Sequence, residues 1–209
     1  MKEQRSGTKE RILDSALNLF SEKGYDGVGV DAIAEQAGLK GPSIYKHFKS
    51  KEEILDTLIR EVDSYYEKNF GSKLHPGKIP ASAEELVDIS WKRIRFTLKD
   101  DRIRKTRRIL AMEQFRSPQV AKLATRYSLE NIQGIYQKLF KEMMDAGVIR
   151  QGDPAMLSMA FIAPITLLIN MCDREPEREQ EAMNSMKEYM NYFAKQYLQE
   201  NKEENVAEY

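Results

Sequence analysis

The chain has 209 residues, 41% hydrophobic and 32% charged, with few glycines and prolines, which excludes a disordered chain and is typical of a helix-rich globular protein. Its single cysteine, Cys172, excludes an intramolecular disulfide, and the polar start carries no signal peptide, so we expect a cytoplasmic protein. The formal net charge is zero, so composition alone does not indicate a nucleic-acid partner.

Hydrophobic periodicity, capping boxes and helix breakers predict an all-α chain of about nine helices. Capping boxes begin at Ser50 and at Ser82, and Asp153 precedes a proline that suits the first helical position. Two prolines and two glycines predict a loop over 70–81. The predicted helices are 8–23, 30–37, 42–48, 51–68, 83–98, 102–115, 118–146, 154–171 and 178–199.

The second and third predicted helices are short and are joined by a tight turn at Gly38, the layout of a helix-turn-helix. Ile44 and Phe48 lie four residues apart and can anchor the third helix to the domain. Residues on its other sides, Ser43, Lys46 and His47, are then free to meet DNA. Tyr45 is ambiguous, since its ring could pack while its hydroxyl reaches a phosphate.

The charge of this segment supports the same interpretation. Residues 36–51 hold four lysines and no acid. Lys40 and Gly41 lie at the entrance of the third helix, where free backbone amides favour a phosphate, and Lys51 could hold the neighbouring phosphate. Pattern alone leaves open a plain helical hairpin whose lysines form a solvated face.

Two stretches, ILDSALNLFSEKGYDG and VDAIAEQAGLKGPSIYKHFKSKEEIL, resemble the TetR (tetracycline-repressor) family of bacterial transcription regulators. The resemblance covers about residues 8–58. It implies a DNA-binding surface made of Gly29, Lys40, Gly41, Pro42, Ser43, Tyr45, Lys46, His47 and Lys51. The chain departs from the family at Val28 and Gly29, where a threonine or serine commonly caps the second helix and touches a phosphate.

The resemblance also implies the mechanism and the domain organisation. Residues 1–50 would bind DNA, and residues 51–209 would bind an effector and dimerise. A homodimer would place two reading helices in the major groove of a palindromic operator, about 34 Å apart. A small molecule bound in the C-terminal domain would shift the fourth helix and release the DNA, so the protein would act as a repressor.

Residues 155–172 form the most apolar run. A transmembrane helix is disfavoured because the run is short and contains Pro164 and three polar side chains. In the family the last two helices pair across the dimer axis, which implies an interface here, with an ordinary monomer core as the alternative. The predicted interface residues are Met156, Met159, Phe161, Met183, Met186, Met190, Phe193 and Tyr197.

The family places the effector pocket among the fourth to eighth helices, and the candidates for its lining are Trp91, Phe96, Met112, Phe115, Tyr127 and Tyr136. For each of them taken singly, we favour a core role over contact with a ligand. Residues 92–108 hold nine bases and two acids. They could bind an anionic effector or the DNA backbone, but we favour a solvated helix face whose bases pair with acids on neighbouring helices.

No pattern indicates an enzyme. The two histidines, His47 and His75, are far apart, and the sequence predicts neither a metal site nor a cofactor. Two alternatives to a DNA-binding regulator remain. One is a helical sensor or adaptor that keeps a vestigial helix-turn-helix and works through protein contacts; the other is an enzyme built on a helical pocket.

Overall fold

The computed structural model describes residues 7–70, 79–115 and 118–197, and the elements in these ranges are all helical. The first six α-helices are α1 (Thr8–Lys23), α2 (Val30–Gln36), α3 (Gly41–Ile44), α4 (Lys51–Phe70), α5 (Ala83–Lys99) and α6 (Asp101–Glu113). The last four are α7 (Pro118–Thr125), α8 (Asn131–Asp145), α9 (Pro154–Arg174) and α10 (Glu179–Tyr197). The π-helical turn Arg126–Glu130 joins α7 to α8, so helical assignment is continuous over 118–145. Counting this stretch once confirms the nine predicted helices within the described ranges.

The predicted caps explain most helix ends. The side chain of Ser50 accepts a hydrogen bond from the amide of Glu53 at 3.3 Å, and that of Asp153 accepts one from the amide of Ala155 at 2.8 Å. These bonds satisfy amides that the first turn leaves without a partner. Left-handed glycines follow three of the elements, as the φ angles of Gly24, Gly38 and Gly147 (+73°, +67° and +70°) show.

Several predicted boundaries shift. The third helix is shorter than predicted, because Lys46 and His47 donate to carbonyls three residues back and not four. The sixth begins earlier, because the carboxylate of Asp100 caps it through the amide of Ile103. Residues 71–78 of the predicted loop, Ser117 and the end of the last predicted helix lie outside the described residues.

The chain divides into two compact units, the N-terminal unit (Met1–Asn69 and Lys99–Thr125) and the C-terminal unit (Phe70–Leu98 and Arg126–Tyr209). The division differs from the predicted boundary at residue 50, because nearly all of α4 and all of α6 belong to the same unit as the helix-turn-helix. The assignment of functions to 1–50 and 51–209 stays a prediction.

In the C-terminal unit, α8, α9 and α10 pack around a cluster of aromatic rings. Phe161 lies at its centre, with its ring centroid 4.9 Å from that of Tyr136 and 4.9 Å from that of Phe193. One polar pair lies within this packing: the hydroxyl of Tyr136 donates to that of Ser90 at 2.9 Å. Burial raises the pKa of Tyr136, against the smaller opposing effects of Ser90 and of a nearby arginine.

The predicted dimer-interface residues differ in their burial within one chain. Four of its residues are completely buried within one chain and therefore have no surface to offer a second copy: Phe161, Met186, Met190 and Phe193. Met159 and Met183 are half-buried, and the side chain of Tyr197 lies outside the described part of the structure. Of the predicted set, Met156 alone is largely exposed among the described side chains, at 66%. The apolar stripe that the sequence pattern marked is thus largely covered within the chain, and its part in a dimer stays a prediction.

Helix α9 is long and apolar enough to cross a membrane by length and composition alone, and among the described residues it is the one helix with this property. Its most apolar window of 18 residues has a mean hydropathy of 1.9, and 28% of that window is buried within the chain. Much apolar surface of α9 is therefore open.

Candidate nucleic-acid interface

Helix α2 packs against α3 in the N-terminal unit. Ile33 and Ala34 are buried in the N-terminal unit, as the predicted periodicity requires. The turn that follows is closed by the amide of Leu39, which donates to the carbonyl of Ala34 at 2.8 Å. Gly38 adopts the positive φ of this turn, which residues with a side chain rarely adopt.

Helix α3 is anchored on one side. Ile44 and Phe48 are 1% and 2% exposed, which confirms their predicted role as anchors. The amide of Phe48 donates to the carbonyl of Ile44 at 3.0 Å, so the chain continues in a helical turn beyond the end of α3. The surface opposite these anchors is thereby fixed in direction.

Most of the predicted contact residues in and around α3 are exposed. Tyr45 is 59% exposed, which resolves its ambiguity, since its ring does not pack in the core. The other exposed members are Gly29, Lys40, Pro42, Lys46 and His47, while Gly41 and Ser43 are half-buried. The structure thus brings eight of the nine predicted residues to the helix-turn-helix and its entrance.

The entrance of α3 holds a carboxylate that the acid-free segment 36–51 does not reveal. A Cβ placed on Gly41 would lie 2.3 Å from Oδ1 of Asp31, which α2 carries to this point. Glycine at this position therefore allows a close approach of the two helices. Because α3 has only four residues, its dipole is small, and the lysines must supply most of the positive charge.

Lys51 is placed differently from the other predicted contacts. Its ammonium nitrogen donates to the carbonyls of Tyr25 and Val28 at 3.0 and 2.9 Å, and it lies 4.1 Å from the centroid of the Tyr25 ring. The amide of Tyr25 donates in turn to the buried carboxylate of Glu113 at 3.0 Å. Burial, together with the carboxylate of Glu52, raises the pKa of Tyr25.

Tyr25 and Glu113 were missed in the sequence. Glu113 did leave a signal: it extends the buried face of α6, with Thr106, Ile109 and Leu110, as the only charged member of that face. A carboxylate on an otherwise apolar face must find donors when it is buried. Nothing in the sequence indicates that its donor lies 88 residues away.

Within α6, Arg102 of the basic run pairs with acids on neighbouring helices, as the favoured interpretation predicts. Arg102 forms ion pairs with Glu61 at 2.8 Å and with Asp14 at 3.5 Å. Lys105 pairs with Asp101 and donates to Asn18. These bonds link α6 to α1 and α4 within the N-terminal unit.

The predicted effector residues are divided between the two units. Tyr136 lies in the core of the C-terminal unit, and Trp91 packs against that core. Phe96 and Tyr127 are half-buried in the same unit, whereas Met112 belongs to the N-terminal unit. Phe115, in that unit also, is 91% exposed and is not part of its core.

Residues 12–58 match the model of the bacterial regulatory proteins of the tetR family. This N-terminal segment is therefore similar to the TetR family. The match covers α1, α2, α3 and the beginning of α4, which are the elements that build the surface described above. The TetR-family segment is thus the same part of the chain in which the geometry places an anchored, outward-facing α3.

Relatives of known function match the same segment. The chain is 41% identical over 58 residues to the negative transcriptional regulator IcaR of the biofilm operon icaADBC of Staphylococcus epidermidis. It is 46% identical over 52 residues to IcaR of Staphylococcus aureus strain Newman. The first match spans 28% of this chain and 31% of IcaR, so it covers less than a third of either protein.

Solved structures extend the similarity to the whole fold. A protein of Mesorhizobium loti assigned to the TetR family matches 95% of this chain and 100% of its own, with a TM-score of 0.74 and 19% identity. SmeT, the repressor of the multidrug efflux pump SmeDEF of Stenotrophomonas maltophilia, matches 95% and 94%, with a TM-score of 0.71 and 20% identity. SmeT in complex with triclosan matches 94% of both chains with a TM-score of 0.77 and 19% identity. At these identities the likeness shows the TetR-family fold alone.

Proposed function

We propose that this protein is a DNA-binding transcription regulator that represses its target genes in the cytoplasm. The observation that carries the proposal is the arrangement of α3 and the helical turn that follows it: Ile44 and Phe48 are buried anchors, while Tyr45, Lys46 and His47 are exposed. An anchored helix with exposed basic and aromatic side chains suits insertion into a major groove. The similarity to IcaR, a negative transcriptional regulator, supports repression.

The roles of the exposed side chains follow from their chemistry. Lys40 and Lys46 are flexible cations that bind phosphates and set affinity and salt dependence. Tyr45 and His47 carry hydrogen-bonding groups on planar rings, so they are our candidates for contacts to base edges. Gly29 offers its backbone amide, and Gly41 and Pro42 allow the close approach of α3 to the duplex.

We further propose that the protein binds a palindromic operator as a homodimer, with the exposed face of α9 at its centre. Exposed residues recur along α9 at intervals of four and three, which places them on one stripe: Met156, Ala160, Ala163, Leu167 and Asn170. The two alanines would let a second helix approach closely, and the large side chains at either end would then be covered. This stripe replaces the predicted interface residues that are buried within one chain.

A small-molecule effector bound in the C-terminal unit is the third part of the proposal. The fold is shared with SmeT, which forms a complex with triclosan. In this chain, Trp91, Tyr136 and their neighbours combine aromatic surface with the buried hydroxyl pair of Tyr136 and Ser90, a combination that suits a mostly apolar ligand. Release of DNA requires a coupling of about 1–3 kcal/mol between the two sites.

DNA binding is tested with duplexes that the wild-type protein enriches from a randomised pool. We expect Lys46→Met to lower affinity and to reduce the salt slope by roughly one unit, because one phosphate contact is lost. Tyr45→Ala should lower affinity and relax sequence preference without changing the slope. Lys138→Met removes a lysine that is exposed on α8 and serves as the matched control. Enrichment of no duplex by the wild-type protein would reject the proposal in favour of a sensor or adaptor that works through protein contacts.

The dimer is tested by sedimentation. Leu167→Glu places a charge in the centre of the proposed face and should convert a dimer into monomers at micromolar concentration. Leu129→Glu changes another exposed leucine, in the π-helical turn, and should leave the dimer intact. If the Leu167 variant sediments like the wild-type protein, α9 does not form the interface.

A further inference from the structure

Tyr25 stands between α6 and the start of the helix-turn-helix. Its amide donates to the carboxylate of Glu113 at the end of α6, and its carbonyl accepts from Lys51 at the start of α4. Its ring packs against Phe20 of α1, with 5.3 Å between centroids. The residue is therefore held through its backbone and its side chain by three different helices.

Lys51 also fixes the residue that leads into α2. Its ammonium group has three N–H donors, and two of them bond to the carbonyls of Tyr25 and Val28. Val28 is buried and is followed directly by Gly29, the N-cap of α2. Lys51 is thus bonded to the residue that directly precedes the N-cap of α2.

A lysine at the first position of a helix is unfavourable beside the positive end of the helix dipole. Here the ammonium group is turned away to two carbonyls and the face of an aromatic ring, all of which attract a cation. These contacts give the lysine a role that needs no DNA. They also leave it half-buried, unlike the exposed Lys40 and Lys46.

We propose that Lys51 and Glu113 are positioning residues that clamp Tyr25 from both sides and thereby set the start of α2 for DNA binding. In this arrangement α6 acts on the reading surface through Glu113, and Lys51 contributes to affinity without contacting a phosphate. The proposal rests on the proposed function, since it concerns how that surface is held.

The first test compares two lysine variants on the duplex enriched by the wild-type protein, well below the unfolding temperature of each. Lys51→Met keeps the apolar stem against the ring of Tyr25 but removes the charge. We expect DNA affinity to fall of order 10-fold with the salt slope unchanged. Lys46→Met, in parallel, should reduce the slope by roughly one unit. A slope reduced equally by Lys51→Met, or an unchanged affinity, would overturn the clamp.

The second test uses the other side of the clamp. Glu113→Gln keeps an acceptor oxygen for the amide of Tyr25 and should bind DNA nearly as well as the wild-type protein, whereas Glu113→Leu should lose affinity as Lys51→Met does. Equal affinity of the folded Gln and Leu variants would contradict the proposal. This comparison separates positioning from a general loss of stability, because affinity is measured on folded protein.

A third readout does not depend on DNA. In hydrogen exchange, Lys51→Met and Glu113→Leu should each increase exchange in the segment 25–33 while residues 12–20 of α1 stay protected. Equal acceleration in both segments would show a merely structural role. If the wild-type protein enriches no duplex, the proposed function fails, and this exchange pattern still decides whether the clamp exists.

Discussion

The missing hydroxyl at the start of α2 offers a sharp test of how the helix-turn-helix is built. Gly29 is the N-cap of α2 with φ −87° and ψ 159°, and α2 receives no side-chain cap. This backbone conformation is the one that a capping serine adopts. A Cβ added at Gly29 would meet nothing within 4 Å, so Gly29→Ser fits without strain.

The expected stabilisation follows from two effects. A serine cap is worth a few tenths of a kcal/mol more than glycine and about 1 kcal/mol more than alanine. Replacing glycine also reduces the entropy of the unfolded chain, which stabilises by about 0.4–1 kcal/mol. Gly29→Ser should therefore gain about 1 kcal/mol, which corresponds to roughly 2–4 °C in a protein of this size. For Gly29→Ala the two effects nearly cancel.

The assay is thermal unfolding followed by circular dichroism, with DNA binding measured on the same samples. The serine hydroxyl can also donate to a phosphate, so affinity should rise by roughly five-fold for a bond worth about 1 kcal/mol. The salt slope should stay the same because the new group is neutral. Equal unfolding temperatures of the Ser and Ala variants would refute the capping argument, and equal affinities would refute the phosphate contact.

Three further outcomes are expected. Gly27→Ala should destabilise the protein by more than about 1 kcal/mol, because the added Cβ would lie 2.5 Å from the carbonyl oxygen of Lys23. Gly134→Ala should instead stabilise it by about 0.5–1 kcal/mol, because a Cβ added at Gly134 in α8 meets nothing within 4 Å. Urea unfolding measures both changes. Ser90→Ala and Tyr136→Phe should each destabilise by about 1–3 kcal/mol, but the double variant by less than their sum, because no buried hydroxyl is then left without a partner. Burial raises the pKa of Tyr136 in the folded protein, so its contribution to stability is complete below pH 10 and is lost as the pH rises further. The free energy of unfolding of the wild-type protein should therefore fall more steeply with pH than that of Tyr136→Phe. Parallel slopes in urea titrations up to pH 11 would contradict this.

The sequence predicted the helix-turn-helix well because its signals are local. Ile44 and Phe48 lie within one turn of each other, and Gly38 marks a turn that needs a positive φ. Such features depend on neighbours in the chain, so residue type and spacing are sufficient to place them. The match of residues 12–58 to the TetR family covers the same segment.

The contacts that hold this segment in place could not be predicted in the same way. The bond from Tyr25 to Glu113 joins residues 88 positions apart, and Asp31 approaches Gly41 because two helices pack closely. Lys51 shows the consequence most clearly. Its position in a basic, DNA-binding segment indicated a phosphate contact, but the fold provides carbonyl partners that the sequence does not reveal.

The two faces of α9 show why periodicity identified the apolar surface but not its partner. Phe161 and Ile165 face the core of the C-terminal unit, while Met156 and Leu167 are 66% and 65% exposed. An amphipathic pattern reports that a face avoids water, and it contains no information on whether the same chain or another covers it. Because α9 is apolar on both sides, burying one face leaves the other in water. Four residues that the pattern assigned to the interface complete the core, whereas Met156 lies on the exposed stripe of α9 that we propose a second copy covers.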